Sequence, residues 1–323
     1  MAINLTTDTI DAVITPERGA DITQLIHRPT GINVFAEAPT GAVTNPQAAW
    51  GSSQAQWMNG YPGGWQVLVP NASTEREWEG VVQGFHGEAS LAAWTLLHHT
   101  TDRAELETSL FTAPLHLHRT ITVSGSRLSV TDQITNLAAR PTSFRLCQHP
   151  AFGDQFLDPD SYLVTTAGRL TADAENTGSL AAPNTTGAPA DVLPPGPVPH
   201  SVSLPAPGSG DSLAGVLTEF APENPDDPSA SVTFVSPAKN LSATLTWDHT
   251  VYPYAWVWFE ANALTTWPWF GRLYALAIEP ANMMPGSGPA PGGYERGGLG
   301  TTLPPGDTLT SEVSITLDHY PHP

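Results

Sequence analysis

The sequence predicts an all-β protein. Three observations carry that reading. Apolar and polar residues alternate in many short runs rich in β-branched side chains. No long segment repeats apolar residues at helical spacing between proper caps. The 323 residues include 32 Pro, 28 Gly and 10 Trp with only 13% charged residues, a composition of strands joined by many loops.

Taken in chain order, Leu115 to Val123 alternates, Ser124-Gly125-Ser126 turns the chain, and Arg127 to Asn136 alternates again. Two such runs joined by a short glycine-containing link read as a β-hairpin. Ser231–Val235, Leu241–Trp247, Tyr254–Phe259 and Glu312–Leu317 repeat the pattern. Pro183 to Ser212 is rich in Pro, Gly, Ala and Ser; similar strand patterns on both sides favour a long loop within one domain spanning 1–323. Pro285 to Gly300 also reads as loop, and no internal repeat is evident.

Charge narrows the function. Twelve Lys+Arg against 31 Asp+Glu give a net charge of −19, which argues against nucleic acid and anionic membrane surfaces as partners. Lys239 is the only lysine, so lysine chemistry would have to rest on a turn-like stretch. Cys147 is the only cysteine, which excludes an internal disulfide and a thiolate metal cluster. The N-terminal residues lack a signal-peptide pattern, and no run approaches the roughly 20 apolar residues of a membrane span. A cytoplasmic protein is the expectation.

Three segments could carry chemistry. Gly60 to Asn71, followed by Gly84-Phe85-His86-Gly87-Glu88, surrounds a histidine with glycines, as a ligand-facing loop or a tight turn would. In Leu146-Cys147-Gln148-His149-Pro150, the proline holds His149 extended at a strand end, where an imidazole can act as a general acid. Cys147 shares its strand face and reads as a small buried hydrophobe more readily than as a nucleophile. Leu273 to Asn282 sets one carboxylate, Glu279, at the end of an apolar run before Pro280. Buried there, it would have a raised pKa suited to a base; at an exposed strand end it would not. His116, His118, His98 and His99 read as strand residues. Most tryptophans read as packing, although one or two could stack on a sugar ring. Phosphate-loop, zinc-protease and nucleophile-elbow motifs are absent.

Together these pieces resemble the aldose 1-epimerase (galactose mutarotase-like) family. Pro16-Glu17-Arg18-Gly19-Ala20-Asp21-Ile22 followed by Thr30-Gly31 is similar to its first hairpin, and Gly64 to Asn71 to its segment ending in Phe-Pro-Asn. Phe85-His86-Gly87-Glu88 and His149-Pro150-Ala151-Phe152-Gly153 resemble its two histidine motifs. Ala277-Ile278-Glu279-Pro280 resembles its catalytic strand, and Leu303-Pro304-Pro305-Gly306-Asp307 its closing turn. The matches follow the family's order over nearly the whole chain.

The resemblance implies a large antiparallel β-supersandwich with an open concave sugar site. It implies Glu279 as general base, His149 as general acid and His86 as a sugar-binding, charge-stabilising group, interconverting the anomers of a free aldose without metal or cofactor. Asn71, Arg76, Trp65 and Asp248 are the candidate substrate contacts. The galactose-specific branch carries an Asp-His-Asn stretch before the glutamate, and the only Asp-His in that interval is Asp248-His249. The expected partner is a small, uncharged sugar. A carbohydrate-binding protein without activity on the same fold is the competing reading.

Overall fold

In a computed structural model of the chain, the described residues are 1–39, 51–175, 178–221, 227–284 and 300–320. They form two large sheets of eleven and nine strands, with every strand pair antiparallel. The middle of the eleven-stranded sheet runs Asp21–His27, Trp65–Leu68, Cys147–Gly153, Tyr274–Ala281, Tyr254–Ala261 and Ser212–Phe220. The nine-stranded sheet centres on Leu241–Asp248, Thr308–His319, Arg127–Asn136 and Leu115–Ser124. The all-β expectation holds.

The predicted hairpin forms in full, with Leu115 facing Asn136 and Ser124 facing Arg127 across the link at Gly125. The other predicted strands extend by a few residues, as in Ser229–Ser236 and Thr308–His319. The Pro/Gly-rich stretch from 183 to 212 carries two short strands, Thr186–Gly187 and Ser201–Ser203, and one helical turn, Pro189–Val192. Of the second such stretch, 285 to 300, only Gly300 lies within the described residues. One further helix, Ser53–Asn59, starts at Ser52, whose side chain accepts from the Ala55 N–H. No helix among the described residues is long and apolar enough to cross a membrane.

Strand periodicity sorts the side chains of the larger sheet onto two faces. On Tyr274–Ala281, Tyr274, Leu276 and Ile278 enter the main core between the sheets. Ala275, Ala277 and Ala281 pack on the opposite face. Both faces are covered, which is why all eight residues are buried. Phe152 from the larger sheet stacks on Phe234 from the smaller one, ring centroids 3.8 Å apart.

A polar network crosses this core. Arg119 and Asp132 face each other in the hairpin register and make a bidentate pair at 2.7 and 2.8 Å. Gln148, on the other sheet, donates to Asp132 at 2.7 Å and to Tyr252 at 3.3 Å, and accepts from the Trp65 indole at 2.9 Å. Removing one partner of a fully buried ion pair strands the other charge. Asp132→Ala is therefore expected to lower the unfolding free energy by about 3–5 kcal/mol in urea titrations. A loss below about 1 kcal/mol, the range of surface pairs, would contradict that role.

Candidate functional site

The cavity-bearing face of the larger sheet holds a row of opposed residues. The pairings Cys147 with Ala281 and Ala151 with Ala277 set His149 opposite Glu279. Glu279 is paired with Trp256 on one flank, and His149 with Gln66 on the other. Glu279 is buried, with its Oε1 3.5 Å from His149 Nε2, while the Cys147 thiol donates to Oε2 at 3.6 Å. Burial pushes the Glu279 carboxyl above the usual carboxylate range, against the pull of His149 and the thiol bond. The same burial, together with the carboxylate of Glu279, raises the Cys147 thiol well above its ordinary value, so it acts as a donor and not as a nucleophile.

His86 reaches the site from a loop that the fold must force into shape. It has a positive φ of 58°, and Gly87 follows at 75°. A Cβ at Gly87 would lie 2.5 Å from the backbone oxygens of Val69 and Asn71, so only glycine fits there. The His86 ring packs edge-on against Trp57 at 4.6 Å and lies 5.6 Å from the His149 ring. Burial, then the neighbouring His149, holds it well below the usual imidazole range, despite a hydrogen bond to the Ala72 backbone. At neutral pH it is an uncharged hydrogen-bonding group.

Glu279, His149 and His86 line a cavity of about 770 Å³, within the size range of small-molecule sites. Trp57, Tyr61, Trp256, Trp258 and Trp269 supply its aromatic walls, and Asp173, Glu175 and Glu260 lie along it. Among the described residues that line it there is no lysine or arginine. Among the described residues no three His, Cys, Asp or Glu side chains converge to hold a metal ion.

Of the seven residues singled out in the sequence, Glu279, His149 and His86 come together here, and four do not line the cavity. Trp65 sits in the inter-sheet core. Its strand neighbour Gln66 is the residue that faces His149. Asn71 is wholly buried and clamps the His86 loop by donating to the carbonyls of Ser73, Thr74 and Gly84. Arg76 is buried, donating to Gln83 and to the Pro70 carbonyl. Asp248, at the end of a strand of the other sheet, bonds the backbone N–H and hydroxyl of Thr250 in a tight turn. Tyr61 falls within the Gly60 to Asn71 segment, whereas Trp57 was not singled out; the short helix that starts at Ser52 brings Trp57 in to stack on Tyr61, ring centroids 4.6 Å apart. His116 and His118 pair with Glu107 and Glu105, away from the cavity.

The fold is that of the galactose mutarotase-like proteins. A galactose mutarotase related enzyme from Lactobacillus acidophilus superposes with a TM-score of 0.70 at 15% identity, covering 99% of this chain and 98% of that one. A galactose mutarotase-like protein from Lactobacillus casei gives 0.67 at 17% identity, covering 98% and 100%. An aldose epimerase homologue from C. elegans gives 0.65 at 14%, covering 99% of both chains. At these identities the likeness is one of fold. The chain belongs to the family described as a domain of unknown function, DUF4432, whose model matches residues 1–317. No curated protein matches it.

Burial of Glu279 has a consequence for stability. Its carboxyl titrates higher in the folded chain than the ordinary 4.5, so between those two values the native state holds more protons than the unfolded one. Its contribution is intact below the unfolded value and is lost as pH rises through the folded one. Glu279→Gln is therefore expected to raise stability at pH 8 relative to wild type, and the gain should vanish near pH 4. Urea unfolding at the two pH values measures this, and an equal effect at both would oppose a buried, raised carboxyl.

Proposed function

We propose that the protein is an anomer-interconverting enzyme, an aldose 1-epimerase-like isomerase acting on an uncharged aldose or close derivative. The observation that carries the reading is the pairing of Glu279 and His149 at 3.5 Å on one wall of an aromatic-lined cavity. An acid and a base this close can reach both oxygens of one hemiacetal carbon, and a binding protein needs neither.

In this reaction Glu279 removes the proton of the anomeric hydroxyl while His149 gives its Nε2 proton to the ring oxygen. The C1–ring oxygen bond breaks as the C1 carbonyl forms, leaving an open-chain aldehyde, a protonated Glu279 and a neutral His149. Rotation about C1–C2 presents the other carbonyl face. Reversal of the two proton transfers then closes the ring with the anomeric configuration inverted and restores both side chains. His86, neutral, hydrogen-bonds the sugar oxygens. Trp256 and Trp258 offer apolar ring faces to the sugar's C–H bonds. Among the described residues the cavity is lined by four carboxylates and by no lysine or arginine, which supports a neutral substrate over a phosphorylated one.

Polarimetry of freshly dissolved aldoses, with anomer exchange followed by NMR, tests the activity. Acceleration is expected for at least one free aldose, with its phosphate ester a poorer substrate. Glu279→Gln and His149→Ala should each lower kcat by roughly 10²- to 10⁴-fold with the fold retained. Saturable sugar binding without acceleration would instead support the carbohydrate-binding reading, and unchanged rates in both variants would refute the assigned roles.

A further inference from the structure

The row that contains Glu279 and His149 continues on the far side of the histidine. Gln66 is the register partner of His149, and the pairing of Ile22 with Trp65 sets Asp21 opposite Gln66. Asp21, Gln66, His149, Glu279 and Trp256 therefore lie side by side across five adjacent strands of one sheet. Asp21 is wholly buried and Gln66 is 1% exposed.

Buried polar groups are normally paired, yet this end of the row concentrates exceptions. His149 Nδ1 and Gln66 Oε1 are both buried without a hydrogen-bond partner. The Gln66 amide cannot be turned the other way: its Nε2 donates to the Gly63 carbonyl at 2.6 Å, and an oxygen there would meet another oxygen. Its Oε1 is thus an acceptor with nothing to accept, and its register partner His149 carries an imidazole nitrogen with nothing to bond. Asp21 is next in the row. Arg18 lies 3.8 Å from it and is anchored by donating to the Trp57 carbonyl at 2.7 Å. Burial lifts Asp21 to about 7, opposed by Arg18, the Gln66 side chain and Arg119.

We propose that Gln66 and Asp21 are positioning residues for His149: the two orphaned groups, register partners on adjacent strands, satisfy each other in the working site, Gln66 Oε1 turning to accept from His149 Nδ1–H, and Asp21 holds the Gln66 amide in the orientation that presents its oxygen. The chemical consequence concerns which proton moves. A histidine whose Nδ1–H is tied to an acceptor gives up the proton on Nε2, the nitrogen that faces Glu279. The neutral ring left behind is the Nδ1–H tautomer, ready to take the proton back at Nε2. Without that acceptor the ring is free to keep its proton on Nε2, and it then has no lone pair facing the ligand with which to reverse the step. The assignment rests on the proposed role of His149 for its catalytic meaning, but the hydrogen bond itself does not.

The test is therefore made first without activity. Long-range proton–nitrogen NMR on the ¹⁵N-histidine-labelled full chain reads the tautomer of each neutral ring, with the His149 signals assigned by their loss in His149→Gln. The expected result is the Nδ1–H tautomer for His149 in the wild-type chain. Gln66→Met removes the acceptor at similar volume and should convert it to Nε2–H, while Gln66→Glu, which keeps an oxygen there, should retain Nδ1–H. In anomer-exchange assays Gln66→Met should lower kcat roughly 10- to 100-fold, the range of lost orienting partners of a functional histidine, with KM unchanged. An Nε2–H tautomer in the wild-type chain overturns the proposal whether or not any variant folds. So does a Gln66→Met protein that melts like wild type and keeps the Nδ1–H form. Absence of anomer exchange in the wild type would sink the enzyme reading alone, because the tautomer is measured independently of it.

Discussion

The burial of one carboxylate organises this molecule. Glu279 sits on a strand whose eight residues are all buried, with an imidazole at one oxygen and a thiol at the other. An ionised carboxyl in such a place is costly unless its neighbours compensate, and here they compensate only in part, since its pKa stays raised. The fold tolerates this because the opposite face of the same strand packs Tyr274, Leu276 and Ile278 into the main core. Stability is drawn from one face of the sheet and the candidate site lies on the other.

Antiparallel register is what turns that arrangement into a site. Strands about 4.8 Å apart present opposed side chains to the same face, so a residue's neighbours in the row come from distant parts of the chain. The row joins an N-terminal hairpin, the strand after the Gly60–Gly64 turn, the His149 strand and the Glu279 strand. On the core side of the His149 strand, Gln148 is gripped by Asp132, Tyr252 and Trp65. That anchor matters because the ladder toward the Glu279 strand records no pairing for Gln148, His149 or Pro150. The proline cannot donate to a ladder, so on this flank side-chain bonds supplement the pairing that Gln148, His149 and Pro150 make with the Trp65–Leu68 strand.

Much of the fold was legible in the sequence because alternation is a local signal. The 115–136 hairpin and the runs at 231–235, 241–247 and 254–259 all became strands. The two histidines and the glutamate were legible because each is marked by an adjacent proline or glycine. Substrate contacts were less so, and the reason is parity. Trp65 and Gln66 are adjacent on one strand, so only one of them can share the sheet face of His149, and a shift of one residue exchanges them. The aromatic residue looked the better sugar contact, but the pairing of Gln66 with His149 turns Trp65 into the core. Asn71 and Arg76 lie close to the site in sequence, yet their polar groups are engaged by the loop that carries His86 and by the hairpin beside it. Trp57 was not singled out because the seven-residue helix that carries it is too short to show an apolar period.

The central claim is geometric: Glu279 and His149 act on the two oxygens of a single anomeric carbon. A crystal structure of the protein with a bound reducing aldose tests it most directly. The proposed reaction requires the anomeric oxygen within about 2.6–3.2 Å of a Glu279 carboxylate oxygen, and the ring oxygen within the same reach of His149 Nε2. A sugar bound with its anomeric carbon turned away from both groups, or held elsewhere in the cavity, would contradict it.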